Sequence, residues 1–320
     1  MRETRLDGCG SLPLVLEPGS EAGRSRDHLV EWIGGRRAAL EERLDAAGAV
    51  LFRGFALASA EDFEAVAESF QPRLSAYLEG QSQRERVRGN VYTSTSYPAR
   101  EKVTLHNELS YTASPPRHLL FFCCVAPEDG GETPLLDCRR VLEALKPEVV
   151  RAFEERGVLY VKNMHGGGPG TKLGKSWQQH FETEDRGEVE AHLAGNGVGF
   201  EWRPDGGLRT RQVRPGLCVH PRTGERLWFN QASLWHVSNL GAVGRQLLRT
   251  VGEEELPTHA YFGDGGAIDP ADLDHVRRTT WDEASRFPWR AGDVVLADNH
   301  RVAHGRNRFS GKRRILAALG

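Results

Sequence analysis

The chain alternates short apolar runs with glycine-rich polar stretches, and the spacing predicts more strands than helices. From Asp27 to Ala47, Leu29, Ile33, Leu40 and Leu44 recur at helical intervals, with a break expected at Gly34-Gly35. Gly48–Phe55 reads as a buried strand. Ser59 followed by Asp62 marks a capped helix start, and Phe63, Val66 and Phe70 give that helix one inward face. The apolar run Leu119–Val125 suits a strand buried on both faces. Asp137 caps another helix, Pro147 opens a further one ending before Gly157, and 157–164 is again a strand. Segments 208–219 and 226–235, joined by His220-Pro221-Arg222-Thr223-Gly224, predict a hairpin. Residues 241–285 are polar and partly helical; Asp293–Ala297 and Arg314–Leu319 close the chain as core strands.

Residues 1–47 form an N-terminal lead-in and helix, and 165–197 form a long irregular insertion, expected to act as a lid. No repeat, low-complexity tract or linker divides the chain, so 1–320 is expected to be a single domain. Strands and helices do not alternate strictly. The expected class is mainly β with helices: a sandwich or barrel core with helices packed outside it.

Composition is that of an ordinary globular protein, and a net charge of −2 gives no field that would invite nucleic acid or a membrane surface. The five cysteines (Cys9, Cys123, Cys124, Cys138 and Cys218) are odd in number and contain no CxxC pair, and no secretory signal is visible. They read as reduced thiols in a cytoplasmic protein. No apolar stretch is long enough for a membrane helix.

Candidate chemistry centres on His106-Asn107-Glu108. In an extended segment the first and third side chains share a face, which sets an imidazole beside a carboxylate. A third ligand is available late in the chain, at His300 or His304 after Asp298-Asn299. Two histidines and one carboxylate leave three open positions on a metal, which suits Fe(II) and O2; zinc is the rival, but the helical HExxH pattern is absent.

His106-x-Glu108, Gly130-Gly131-Glu132-Thr133, Asp298-Asn299…His304-Gly305-Arg306 and Arg313-Arg314-Ile315-Leu316 together resemble the Fe(II)/2-oxoglutarate-dependent oxygenases of the taurine dioxygenase and clavaminate synthase superfamily. The branch most resembled hydroxylates amino acids in natural-product pathways. The resemblance runs from about Val50 to the C-terminus. It implies a double-stranded β-helix, or jelly roll, with flanking helices, and His106, Glu108 and His304 as iron ligands. It further implies Arg314 as the arginine on the far carboxylate of 2-oxoglutarate, Thr133 as the hydroxyl beside it, and Arg313 facing the other way.

The expected reaction is hydroxylation of an unactivated C–H in a small amino acid or amino-acid-derived substrate, free or carried on a carrier protein. 2-Oxoglutarate and O2 are consumed and succinate and CO2 released. Desaturation or cyclisation would use the same ligands. A metal-binding jelly roll without turnover is the alternative of another class, although a pure binder has no need of a 2-oxoglutarate clamp. Sulfonate-cleaving relatives carry a second arginine four residues after the first; here that place is Ala318, which argues against taurine. Halogenating relatives replace the carboxylate by a small residue, so Glu108 argues against halogenation. For the substrate, Arg211 and Arg214 are candidates to pair a carboxylate, Trp177 to close a lid, and Asn230 and Gln231 to bond it from among apolar neighbours. The loop 92–98, Trp228, Phe229 and His236 are further pocket candidates, and His220 reads as a turn residue.

Overall fold

A computed structural model describes residues 1–6, 12–77, 79–80, 84–95, 97–168 and 173–320; Cys9, Ser96 and Pro169-Gly170 of the glycine-rich run lie outside them. Helices and strands are mixed. The largest sheet has eight strands, in the order Arg2–Thr4, Leu14–Glu17, Ala49–Phe52, Val294–Asp298, His118–Val125, Arg314–Leu319, Val91–Thr93 and Arg86–Arg88. His118–Val125 lies at its centre, antiparallel to both Val294–Asp298 and Arg314–Leu319. Its neighbours bury it on both faces, which accounts for its unbroken apolar run.

Side-chain alternation divides this sheet between two cores. Leu120, Phe122, Leu296, Leu316 and Ala318 face one way and pack against the helices Arg26–Gly34, Arg37–Ala47 and Ala60–Phe70. Leu119, Phe121, Val295, Ile315, Ala317 and Leu319 face the other way, where they meet Leu135, Val302, Phe287 and Trp289. Leu135 and Val302 belong to a three-stranded sheet ordered Val103–His106, Val302–Arg306, Leu135–Asp137, which therefore lies over the large sheet. Its far side contributes Leu105, Leu136 and Ala303 to a third core. That core also holds Val141, Val149 and Phe153 from helices Cys138–Ala144 and Pro147–Arg156, and Tyr160 and Ala260 from a four-stranded sheet.

Local chemistry sets most element ends. Ser59 and Asp62 form the reciprocal capping box expected of them, Asp137 caps Cys138–Ala144, and Pro147 opens the helix that stops at Gly157. Other expectations fail for identifiable reasons. Within 173–197 the segment is not irregular: Ser176 and Gln179 box the start of helix Trp177–Phe181, and Asp185 caps Arg186–Gly195. The strand expected over 208–219 breaks at Pro215-Gly216, where a Cβ on Gly216 would meet the Phe153 carbonyl oxygen at 2.4 Å. The strand expected over 226–235 ends at Trp228, and Ala232–Trp235 is a helical turn whose Ala232 N–H donates to Asn230 Oδ1. Thr258–Phe262, unforeseen within polar sequence, pairs with Val158–Met164.

One buried ion pair joins the large sheet to the loop before its central region. Arg53 Nε and Nη2 donate to both carboxylate oxygens of Asp293 at 3.0 and 2.6 Å, with side chains 5% and 1% exposed. Breaking such a pair strands a charge in the interior, so Asp293→Ala should lower unfolding free energy by about 3–5 kcal/mol in chemical denaturation. A loss below about 1 kcal/mol, the size of an exposed pair, would show that the pair carries little of the fold.

Candidate metal centre

The two histidines meet because strand register places them opposite one another. His304 on Val302–Arg306 is the direct partner of His106 on Val103–His106, and their rings lie 4.6 Å apart. On its other side His304 pairs with Leu135, and its ring packs 4.9 Å from Phe121 of the large sheet. Selection between the two late histidines is thus topological. His300 sits in the turn before this strand, stacked on Phe229 at 4.9 Å.

Glu108 reaches the site by a route other than strand alternation. The strand ends at His106, and Glu108 lies in the turn that follows, next to Leu109, whose φ is +54°. A buried leucine in the left-handed region is disfavoured, and such strain persists where surroundings over-determine it. Asn299 supplies that determination: its Oδ1 accepts from the Glu108 N–H at 2.7 Å, and its Nδ2 donates to the Glu108 carbonyl at 2.9 Å. Asn107 Nδ2 donates to the Asn299 carbonyl at 2.6 Å, and Gln231 Nε2 donates to the Asn107 carbonyl at 2.6 Å. Each buried amide has partners, as burial requires.

The ligand atoms of His106, Glu108 and His304 all lie within 4.8 Å of one another, and all three residues are buried or nearly so. The donor chemistry fits a divalent metal. Nδ1 of His106 is 2.8 Å from the Thr104 carbonyl, which can only accept, so Nδ1 carries the proton and Nε2 keeps its lone pair. His304 is held well below the usual imidazole range by burial, then by His106 and Arg84, and is a neutral base. Its Nε2 faces Glu108 Oε2 at 3.9 Å. Arg84 Nη2 donates to the same carboxylate oxygen at 2.6 Å, with its guanidinium 4.0 Å over the Tyr77 ring.

Beside the triad a cleft of about 30 Å³ is lined by His106, His304, Phe121, Thr133 and Arg313. Arg313 Nε donates to the Gly131 carbonyl at 2.9 Å, and its Nη2 lies 3.4 Å from Thr133 Oγ1. Trp289 Nε1 also donates to Thr133 Oγ1, at 3.1 Å, so the hydroxyl proton is left to donate elsewhere. Gly131 has φ +68°, and a Cβ there would press on Arg313 Cδ at 3.1 Å and Pro127 Cγ at 2.8 Å. Burial, then neighbouring Arg306, pulls the Arg313 guanidinium down to about 10, still charged at neutral pH.

The structure places the two neighbouring arginines differently from the expectation. Arg314 is exposed and absent from this cleft, whereas Arg313 reaches it. Ile315, Ala317 and Leu319 face the same core as Phe121, and Arg313 bonds to Gly131 on that side, whereas Arg314 stands at a register irregularity before Ile315 and lines only the wider chamber next to the cleft. The strand is apolar on both faces, and alternation therefore carried no sign of which arginine pointed inward.

The substrate candidates divide. Gln231 borders an apolar cavity of about 280 Å³ beside the triad, with His106, Glu108, Trp235, His236 and Leu247. Burial, then His259, holds His236 at about 4, a neutral imidazole. Asn230 instead serves the backbone, donating to the Gly216 carbonyl at 2.7 Å. Arg211 stands exposed on its strand, 3.6 Å from Glu254, because its inward neighbours Thr210 and Gln212 hold the buried face. Arg214 donates to the Asn196 carbonyl and Gln212 Oε1. Trp177 is buried in a small core with Val189, Leu193 and Leu208, edge-on to Trp202, and lines no cavity beside the triad. His220 is buried and bonded to Asp298 at 3.0 Å. Arg84, Trp289 and Asn299 are the residues that sequence reasoning left without a role; Arg84 falls in a stretch with no periodicity to mark it.

The family model described as Taurine catabolism dioxygenase TauD, TfdA family matches residues 13–319. The chain is 38% identical to the dapdiamide synthesis protein DdaC of Enterobacter agglomerans over 281 residues, covering 88% of this chain and 84% of that protein. It is 34% identical to a clavaminate synthase-like protein of Arabidopsis thaliana over 286 residues, covering 88% and 83%. Among solved structures, PvcB of Pseudomonas aeruginosa shares the fold, with a TM-score of 0.53 at 19% identity over 96% of this chain and 84% of that one. PvcB is described as an Fe, alpha-ketoglutarate dependent oxygenase from an isonitrile synthetic pathway. Among the described residues no helix is long and apolar enough to cross a membrane. This chain belongs to the TauD/TfdA family of Fe(II)/2-oxoglutarate-dependent oxygenases.

Proposed function

We propose that the protein hydroxylates an unactivated C–H of an amino acid or amino-acid-derived small molecule in a biosynthetic pathway. His106, Glu108 and His304 would hold Fe(II), and Arg313 with Thr133 would hold 2-oxoglutarate. The observation that carries this reading is that both histidines of a two-histidine, one-carboxylate cluster share one cleft with the half-buried Arg313 and the buried Thr133. Dapdiamide synthesis and an isonitrile pathway, the settings of DdaC and PvcB, support the biosynthetic context. We read the three-stranded sheet over the large sheet as part of a double-stranded β-helix, with one domain spanning 1–320 and segment 165–197 serving as a lid.

When bound, the iron supplies the O2 chemistry that couples decarboxylation of 2-oxoglutarate to oxidation of the substrate. The protein's own groups bind and orient. Arg313 offers a planar fork to the distal carboxylate, and the Thr133 proton, freed because Trp289 and Arg313 already serve its oxygen, donates to the same group. Trp235, Leu247 and Val237 line the apolar cavity and limit water beside the triad. Glu108 occupies the position that halogenating relatives leave open, so oxygen and not halide is the group transferred. With Arg313 as the 2-oxoglutarate arginine, the place four residues on is Ala317, again unable to grip a sulfonate.

The direct test is a screen of amino acids and their derivatives, free and on carrier proteins, for substrate-stimulated succinate formation, with mass spectrometry of the product. A gain of one oxygen is expected; loss of two hydrogens would replace hydroxylation by desaturation or cyclisation. Arg313→Met should raise the KM for 2-oxoglutarate by about 10–100-fold, the worth of hydrogen bonds to a charged group, whereas Arg314→Met should change it by less than about twofold. The reverse pattern would restore Arg314 to the role. Asn299→Ala, which frees the Glu108 backbone, should weaken Fe(II) binding about 10–100-fold in anaerobic titration while the fold persists by circular dichroism. Unchanged affinity would show that Glu108 is placed by other contacts.

A further inference from the structure

The apolar cavity beside the triad holds about 280 Å³, the small end of the range for sites that enclose a small molecule. Several polar groups in its wall are already paired. Thr104 Oγ1 donates to Asn239 Oδ1 at 3.0 Å, Tyr111 donates to the Glu79 carbonyl at 2.7 Å, and Arg84 holds Glu108 at 2.6 Å. Gln231 and His236 are different. They flank the turn Ala232–Trp235, are 2% and 7% exposed, and each keeps one polar atom that meets no partner among the described residues.

Hydrogen-bond chemistry fixes which atoms these are. Gln231 Nε2 donates to the Asn107 carbonyl at 2.6 Å, and a carbonyl can only accept, so the amide cannot be turned round. Its Oε1 is therefore a buried acceptor without a donor. His236 Nδ1 accepts from the Ser238 N–H at 3.1 Å and lies 2.8 Å from Ser238 Oγ. Arg277 Nη2 donates to that same hydroxyl oxygen at 2.8 Å, which leaves the hydroxyl proton to point at the ring. With Nδ1 accepting and the ring kept neutral by burial, then by His259, the one imidazole proton sits on Nε2, a donor without an acceptor. An unmet acceptor and an unmet donor in one cavity wall cost stability until a ligand pairs with both, and neither is charged.

We propose that Gln231 and His236 hold a neutral amide of the substrate in this cavity, with Gln231 Oε1 accepting from its N–H and His236 Nε2 donating to its carbonyl. The proposal rests on the oxygenase reading above and narrows the substrate class to an N-acylated or otherwise amide-bearing molecule, in place of a free zwitterionic amino acid. Two uncharged partners suit an uncharged group; an ammonium or carboxylate set against them would leave water without an opposite charge on either residue. The amide lies close to the chemistry, because the Asn107 carbonyl that orients Gln231 falls between His106 and Glu108, which border the same cavity. Trp235, Val237, Leu240 and Leu247 take the apolar remainder of the molecule.

The test is ligand-observed NMR on the full chain loaded anaerobically with Fe(II) and 2-oxoglutarate. The probes are the N-acetyl methyl esters of valine, leucine and phenylalanine, each beside the acetoxy ester that carries oxygen in place of the N–H, and beside the free amino acid. At least one amide should bind, and its acetoxy ester and free amino acid should bind about tenfold or more weakly, since each loses a partner of Gln231 or His236. His236→Phe, which keeps a ring and drops the donor, should cost the amide about tenfold, and His236→Gln, whose Nε2 offers an N–H again, should recover most of that loss. 2-Oxoglutarate affinity, read from its charge-transfer absorption, should stay put in both. Equal binding of amide and acetoxy ester, a free amino acid that binds as tightly as its amide, a panel in which no amide binds, or full amide affinity in His236→Phe would overturn the proposal. If His236→Phe does not fold, the comparison of amide with acetoxy ester in the unaltered protein decides. Absence of the charge-transfer band with the amide preference intact would instead overturn the oxygenase reading alone.

Discussion

The site depends on one long-range arrangement: a strand pair that sets His304 opposite His106, and an asparagine that grips the backbone of Glu108 in the turn after His106. Backbone pairing fixes the distance between two ligands without relying on side-chain packing. Glu108 lies beyond the strand end, in a turn that includes a left-handed leucine, and its backbone is held there by Asn299. Because Asn299 follows the large-sheet strand Val294–Asp298 and His304 sits on the next strand, a single hairpin-like return carries both the ligand and the clamp. The metal geometry is thereby tied to the core of the large sheet.

Electrostatics around this frame are lopsided. The triad brings one carboxylate, while Arg84 and Arg313 stand nearby in burial that each must offset through hydrogen bonds or bound anions; burial instead pulls the Lys162 ammonium down to about 7. Arg84 shows how the balance works: burial opposes its charge, but Glu108 and Tyr77 outweigh it and raise its pKa. Arg313 has no such carboxylate and falls to about 10. A cleft built in this way is poised for a divalent metal and a dicarboxylate together, since each supplies what the other group of residues lacks.

Much of the fold was legible because local chemistry and burial agree. The Ser59–Asp62 box, Asp137, Pro147 and the run Leu119–Val125 all mean in the structure what they mean in isolation. The clustering of His106, Glu108 and His304 was legible through motif order, although the reason given for Glu108, a shared strand face, is replaced by a turn and an asparagine clamp. Arg313 was expected to face away because both faces of the adjoining strand are apolar, and only the tertiary contacts place it beside Thr133. Trp177 and Arg211 illustrate the opposite error, in which residue type suggested a pocket and packing gave one to a satellite core and the other to solvent. Arg84 carries no sequence signal at all, since its role arises from three cavities meeting at one guanidinium.

The central claim is that these residues form one Fe(II)–2-oxoglutarate centre. Anaerobic titration of the protein with Fe(II) and then 2-oxoglutarate, followed by visible absorption, tests it most directly. The account predicts a metal-to-ligand charge-transfer band that saturates at one iron per chain and is lost in Glu108→Ala. Absence of the band in the unaltered protein, or its full retention in Glu108→Ala, would contradict it.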